Sequence, residues 1–261
     1  MGESSYTIII SYLTIIVKYC KIITDEGAHI KRRDIMNEID FEVLKELRSH
    51  QQASRHNDTD KMTTFIRGFC SDKHNPKNET LRALGYMRKK HKNQKRQSGE
   101  PYIVHPLSMA CLAIGLGLTD DSLLAVILLH DVCEDTPTTI SDLPATEEVK
   151  HGVKYMTIDR LPTDLDKAET KRRYYQLLLE DKNALICKAL DRYSNMITMV
   201  GVFDEKRIEK NIRETHELLM PVLKEAQSIY VEFSNEIFIL RTLIRNFNDN
   251  LAILHGIDLY Q

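Results

Sequence analysis

The sequence predicts an all-α fold, a compact multi-helix bundle, and three observations carry that prediction. Apolar residues recur three or four positions apart in stretch after stretch, as in Leu81, Leu84 and Met87. That spacing gathers side chains on one face of an α-helix. Only 7 Pro and 10 Gly interrupt 261 residues, so long segments run without a breaker. No stretch alternates apolar and polar residues with the period of two of a half-buried strand, and no internal repeat stands out.

Taken in order, residues 1–35 read as an N-terminal extension, 36–80 as the helical first part of the bundle, 81–226 as the main domain and 227–261 as a C-terminal helix completing it. Ile8–Ile23 is apolar but broken by Ser11, Thr14, Lys18 and Lys21. It falls short of the roughly 18–20 apolar residues of a spanning helix, and an ordinary packed helix is expected. Residues 36–75 read as a helix on Ile39, Val43, Leu44 and Leu47, followed by a polar stretch ending at Asn75-Pro76. Leu81–His91 is a helix that runs into the bases Lys89, Lys90, Lys92, Lys95 and Arg96, and Ser98-Gly99-Glu100-Pro101 breaks the chain. His105 precedes Pro106, which biases it away from helical dihedrals and toward an entry loop. Pro106 then opens a helix over Leu107–Leu116. Thr119-Asp120-Asp121 supplies an N-cap for the strongest helix, Ser122–Asp135, which Thr136-Pro137 stops. Residues 138–170 mix short helices and loops around Leu161-Pro162. Helices over Lys171–Glu180, Ala184–Val200, Ile208–Ala226 and Ser228–Leu254 finish the chain.

Composition narrows the function. Thirty-six basic against 38 acidic residues leave a formal charge of −2, so no global field draws in nucleic acid and anion binding must be local. The five cysteines, Cys20, Cys70, Cys111, Cys133 and Cys187, are odd in number and include no CxxC pair. Reduced thiols in a cytoplasmic protein are expected, not a disulfide framework or a structural zinc site. There is no signal-peptide pattern, and no membrane partner is expected, with contact through residues 6–23 as the alternative. Nothing in the pattern specifies an oligomeric state.

The chemistry concentrates at two helices. Leu123–Leu129 is apolar on every side and therefore buried, yet it runs straight into His130-Asp131-Val132-Cys133-Glu134-Asp135. Four ionisable groups continuing a buried helix are costly unless something pairs with them, and a metal ion is the simplest partner. Positions i, i+1, i+4 and i+5 share one broad face, so His130 and Asp131 can reach one ion. Glu134 and Asp135 stand a turn further on, free to handle a water and its protons. On the second helix Lys188, Asp191 and Asn195 also share a face. A carboxylate with a cationic and an amide neighbour suits a phosphate-bearing substrate. Taken singly, a histidine in an apolar setting is ordinarily a satisfied core residue, and a basic run is ordinarily a solvated helix face. The conjunction of His105, His130-Asp131, Glu134-Asp135 and Asp191 is harder to explain as packing.

His105, His130-Asp131 and Asp191 resemble the HD superfamily of metal-dependent phosphohydrolases. The segments Arg96–Pro106, Leu128–Thr136 and Lys188–Met196, with Arg213-Glu214-Thr215 and Pro221 after them, are similar to the guanosine tetraphosphate hydrolase domain of the RelA/SpoT family over roughly residues 81–226. The resemblance implies an HD-domain bundle in which His105, His130, Asp131 and Asp191 bind one Mn²⁺ while Glu134 and Asp135 orient and activate water. It implies that Arg96 lies against the guanine base and Asn195 contacts the nucleotide near the metal. Lys188 and Thr157 complete the implied substrate contacts. The implied reaction is hydrolysis of the 3′-diphosphate of ppGpp or pppGpp to GDP or GTP. The alternatives are an HD phosphohydrolase acting on another nucleotide, such as NADPH or a nucleoside phosphate, and a non-enzymatic nucleotide-binding protein. Two departures stand out: Gln97 where the family often has Lys, and Ser194 where many members have His. About 35 residues follow Ala226, fewer than a typical further domain of roughly 50–200 residues needs, so a stand-alone small hydrolase is expected.

Overall fold

The computed structural model describes residues 48, 58–157 and 166–260, all within one compact unit, Ile39–Gln261. The expectations for residues 1–35, for the helix of Ile39–Leu47 and for Leu161-Pro162 lie outside the described residues. The helices are α1 (Asp58–Cys70), α2 (Asn78–Lys90), α3 (Val104–Gly115), α4 (Asp121–Leu129), α5 (Val132–Asp135), α6 (Glu147–Met156), α7 (Lys167–Leu177), α8 (Lys182–Thr198), α9 (Glu205–Glu214), α10 (Met220–Ile229) and α11 (Ser234–Leu254). Short 3₁₀ turns lie at Ile140–Asp142, Leu178–Glu180 and Val231–Phe233. Among the described residues there is no strand, only an isolated bridge between Lys95 and Pro101. The all-α expectation therefore holds.

The core forms around α4, whose residues from Leu123 to Leu129 are all buried. Asp120 starts this helix by accepting from the amides of Ser122 (3.0 Å) and Leu123 (3.1 Å), as an N-cap should. Asp121 does a different job. Its carboxylate accepts from the Glu79 amide (3.1 Å), the Thr80 amide (2.8 Å) and the Thr80 hydroxyl (2.6 Å). It thus supplies the cap that Lys77 lacks at the start of α2. The N-termini of α2 and α4 meet, and the two helices pack side by side. Helix α6 packs on α4, α1 on α3, and α11 lies against both α8 and α10.

Four expectations change. Helix α1 lies inside the stretch read as polar. Its buried face is Thr63, Ile66 and Cys70, too sparse in large apolar residues to register as a helical stripe. His105 sits inside α3 and not in a loop, because α3 starts at Val104; a proline in a helix's first turn forfeits no intrahelical bond. The expected single helix Ser122–Asp135 breaks after Leu129, with His130 and Asp131 (φ −93°, ψ −8°) joining α4 to α5 in near-helical dihedrals. Finally, Ile208–Ala226 is interrupted by a π-turn at Thr215–Leu219. Pro221 follows it and has no amide hydrogen to donate one turn back, so the helix widens there.

Two further contacts fix the bundle. Gly152 on α6 lets that helix approach α4 closely: a Cβ there would lie 2.6 Å from Cγ2 of Val126. On the other side, Arg192 of α8 is buried. It donates to Glu214 (2.5 Å), the Tyr175 hydroxyl (2.7 Å) and Asn211 (2.6 Å), while Lys171 also pairs with Glu214. This network joins α7, α8 and α9. Arg48 donates to the carbonyls of Ile197 (3.1 Å) and Val200 (3.2 Å), completing the C-terminal end of α8 with a cation.

Two outcomes are expected. Gly152→Ala should lower stability by roughly 1–2 kcal/mol, since overpacking outweighs the helical preference for alanine. Adding Val126→Ala should not deepen the loss as a second independent cavity would, measured by thermal melting. Glu214 is the second case. Burial would raise its pKa, but Arg192 and Lys171 hold it down at about 2, against an ordinary 4.5. A depressed carboxylate stabilises the fold above the unfolded value and loses that contribution as pH falls from about 4.5 toward about 2. Glu214→Gln should therefore be less stable at neutral pH, by about 3 kcal/mol. The gap to the parent protein should close on acidification across that window.

Candidate metal centre and cleft

Three elements deliver the ionisable groups to one point. His105 comes from the first turn of α3, His130 and Asp131 from the break between α4 and α5, and Asp191 from the middle of α8. His130 and Asp131 follow one another in near-helical dihedrals, and both side chains reach the same centre. His105, His130 and Asp191 are buried, and one ligating atom of each lies within 4.8 Å of the others. Asp131 Oδ2 is 3.0 Å from His130 Nε2 and 3.7 Å from His105 Nε2, and Asp191 Oδ1 is 3.3 Å from His105 Nε2. All four residues singled out in the sequence converge.

The rings are aimed from behind. His130 Nδ1 donates to the carbonyl of Ile127 (2.9 Å), and His105 Nδ1 pairs with the Ser194 hydroxyl (2.9 Å). Both therefore present Nε2 to the centre, the arrangement that outer partners impose on ligating histidines. Ser194, the residue that departs from the family pattern, thus has a defined job. Although 3.0 Å from Asp131, His130 Nε2 makes no aligned hydrogen bond and is a buried orphan among the described residues. The geometry favours a different partner there, and two imidazoles with two carboxylates form a donor set that fits a divalent cation.

Electrostatics agree. Burial works to raise Asp191, but Lys188 (3.0 Å) and the two imidazoles outweigh it, and its carboxyl stays well below the ordinary range. Burial similarly opposes the ionisation of Asp131, yet His130 and His105 hold it ionised. The two rings diverge: burial pulls His105 below its ordinary value despite Asp191, whereas for His130 the charge of Asp131 overrides burial and lifts it to about 9. The titrating proton of His130 sits on Nε2, so a cation arriving there displaces it. Glu134 opens to the cleft, but burial, then the Asp131 charge, raise its pKa. A carboxyl shifted in this direction suits proton transfer.

These groups floor a cleft of about 570 Å³. Glu134, Asp135, Arg96, Lys188 and Asn195 line it; Thr157 does not, since its hydroxyl turns back to the Lys154 carbonyl (2.9 Å) and Met156 takes the lining position. Arg96 donates to Asn195 Oδ1 (2.7 Å), and Asn195 in turn donates to Asp191 (2.6 Å). Lys188 is engaged by Asp191, which leaves it less free for a ligand than its position suggested.

Several lining groups escaped sequence reasoning: Tyr102, Phe203, Lys171, Arg207 and Lys210. Arg207 lies over the Phe203 ring at 3.5 Å and donates to Gln97 (2.9 Å). The residue that replaces a lysine thus holds another cation at the rim. A signal did exist: Arg207, Lys210, Asn211 and Glu214 fall at i, i+3, i+4 and i+7 of α9, a polar stripe opposite the buried Ile208 and Ile212.

Comparison with known proteins places this geometry. Residues 83–235, more than half of the chain, match the HD domain family model. The chain is 35% identical over 147 residues to the guanosine-3′,5′-bis(diphosphate) 3′-pyrophosphohydrolase of Aquifex aeolicus, covering 55% of this chain and 21% of that one. It is 36% identical over 140 residues to the bifunctional (p)ppGpp synthase/hydrolase SpoT of Escherichia coli, covering 51% and 19%. A probable GTP pyrophosphokinase of Mycobacterium leprae is 37% identical over 145 residues, covering 54% and 18%. The chain thus spans about a fifth of the length of these curated relatives. A solved chain, a metazoan ortholog of SpoT, has a TM-score of 0.48 and 21% identity, over 69% of this chain and 97% of its own. Among the described residues no helix is long and apolar enough to cross a membrane. With its four convergent ligand candidates and a family match over most of the bundle, the chain belongs to the HD domain family.

Proposed function

We propose that this protein hydrolyses the 3′-diphosphate of guanosine tetra- and pentaphosphate, releasing diphosphate and GDP or GTP. The observation that carries the reading is the two-histidine, two-carboxylate cluster at the floor of a cation-rimmed cleft. The names borne by relatives at 35–36% identity supply the substrate.

His105, His130, Asp131 and Asp191 would hold one divalent ion, and the mixed nitrogen and oxygen set suits Mn²⁺ without excluding Fe²⁺ or Zn²⁺. Such an ion supplies Lewis acidity, lowering the pKa of water from about 15.7 toward about 7 and polarising a phosphoryl oxygen. The protein's own groups do the rest. Glu134 and Asp135 orient the attacking water and take its proton. The bond to the ribose 3′ oxygen breaks, and that oxygen receives a proton as it leaves. Arg96 offers a planar guanidinium to the base, fixed by Asn195, and Arg207, Lys210 and Lys95 offer positive charge to the phosphates.

The test is product analysis. With Mn²⁺ and ppGpp the protein should release GDP and diphosphate, and in a panel with pppGpp, NADPH and nucleoside triphosphates the alarmones should be turned over fastest. Diphosphate release from none of the alarmones, with turnover of another nucleotide, would move the assignment to that nucleotide. Glu134→Gln should retain Mn²⁺ and lose about 10²–10⁴-fold in kcat, whereas His130→Ala should lose the metal itself.

A further inference from the structure

The hairpin loop before α3 does more than carry Arg96. Its neck is closed by the Tyr102 amide donating to the Gln94 carbonyl (2.9 Å) and by the Lys95–Pro101 bridge, and Gly99 turns it at φ 91°. Three side chains at that neck are engaged with one another and with the site. The Tyr102 hydroxyl donates to Asp131 Oδ2 at 2.5 Å, the oxygen that faces both imidazoles. The Tyr102 ring stacks on buried His91, with centroids 4.6 Å apart and planes within 18°. His91 Nδ1 meets Gln94 Oε1 at 2.5 Å, and Gln94 Nε2 donates to the backbone carbonyl of Asp135 at 2.8 Å.

The directions follow by elimination. A backbone carbonyl only accepts, so Gln94 presents its amide nitrogen to Asp135. Its oxygen then faces His91, whose Nδ1 carries the hydrogen. The chain Asp131–Tyr102–His91–Gln94–Asp135 closes over α5 and grips it at both ends. One end holds a metal-ligand candidate and the other holds one of the pair proposed to handle water. A four-residue helix following a break has few bonds of its own to fix it.

We propose that Tyr102, His91 and Gln94 form a positioning latch on α5, in which Tyr102 directs the metal carboxylate of Asp131 while His91 and Gln94 hold the backbone from which the water-handling carboxylate of Asp135 projects. This rests on the metal-centre reading above. Tyr102 directs Asp131 as an outer partner directs a ligating carboxylate. Gln94 fixes the end of α5 from which Asp135 projects, and His91 locks the rotamer of Gln94 while backing the Tyr102 ring.

The experiment measures Mn²⁺ affinity by calorimetry and ppGpp turnover for the parent protein, Tyr102→Phe, Gln94→Ala, His91→Phe and His91→Phe/Gln94→Ala, with apo melting temperatures alongside. Tyr102→Phe keeps the stack and should weaken Mn²⁺ binding about 10–100-fold. Gln94→Ala should leave Mn²⁺ affinity within about twofold and lower kcat about tenfold, through misplacement of Asp135. His91→Phe preserves the stack but not the hydrogen bond. It should match Gln94→Ala, and the double variant should be no worse than either single one. Equal loss of affinity and turnover in proportion to melting temperature would overturn the latch in favour of mere packing. So would parental values in Tyr102→Phe, or additive effects of His91→Phe and Gln94→Ala. A parent protein that binds no Mn²⁺ would instead overturn the metal-centre reading itself.

Discussion

Charge placed where water cannot solvate it is the constraint on which this molecule turns. Two imidazoles and a carboxylate occupy the interior of the bundle, where an uncompensated ion is costly. Every neighbouring feature answers that cost. Ile127 and Ser194 occupy the far nitrogens of the rings, Lys188 and Asn195 engage the two oxygens of Asp191, and Tyr102 engages Asp131. What remains uncompensated is the inward-facing side of the cluster, where His130 Nε2 has no aligned partner. The scaffold thus satisfies each ligand candidate on its outer side, and the inner side carries the donor set proposed to hold a cation.

The cleft above is sorted by charge in the same way. Its cations divide into those already bound to protein anions and those still available. Lys188 and Lys171 are held by Asp191 and Glu214, neutralising carboxylates that would otherwise repel a phosphate. Arg207 is anchored through Gln97 and Phe203, which fixes its position without cancelling its charge. A chain with a formal charge of −2 can therefore still present positive charge at the rim of this cleft.

The helical class and the four ligand candidates were legible because each is written locally. A uniformly apolar run ending in His-Asp is anomalous in one dimension, and so is an aspartate following Leu185, Ile186 and Leu190. The broken path of the chain at His130-Asp131 was not legible. A turn of two residues with near-helical dihedrals leaves the periodicity of its flanks intact, and no Gly or Pro marks it. Helix α1 hid for the opposite reason: Thr63 and Cys70 are buried by their neighbours and not by their own hydrophobicity. Arg207 and Lys210 were not singled out, because nothing in α9 itself says what it faces. Thr157 was named on the resemblance, and at the C-terminal end of α6 its hydroxyl instead bonds the Lys154 carbonyl.

Asp121 has a consequence for how this chain can change length. It begins α4 and caps α2 at once, so both helices are measured from a common origin. His91 lies about 12 residues from that origin and Asp131 about 10, which at 1.5 Å per residue brings their ends to nearly the same level, roughly 18 and 15 Å away. A single-residue insertion in either helix would offset one end by about 1.5 Å and swing it through about 100°, parting Tyr102's platform from its carboxylate. Point substitutions can accumulate on the outer faces of α2 and α4, whereas gains and losses of residues between Thr80 and His91, or between Asp121 and Asp131, would break this register.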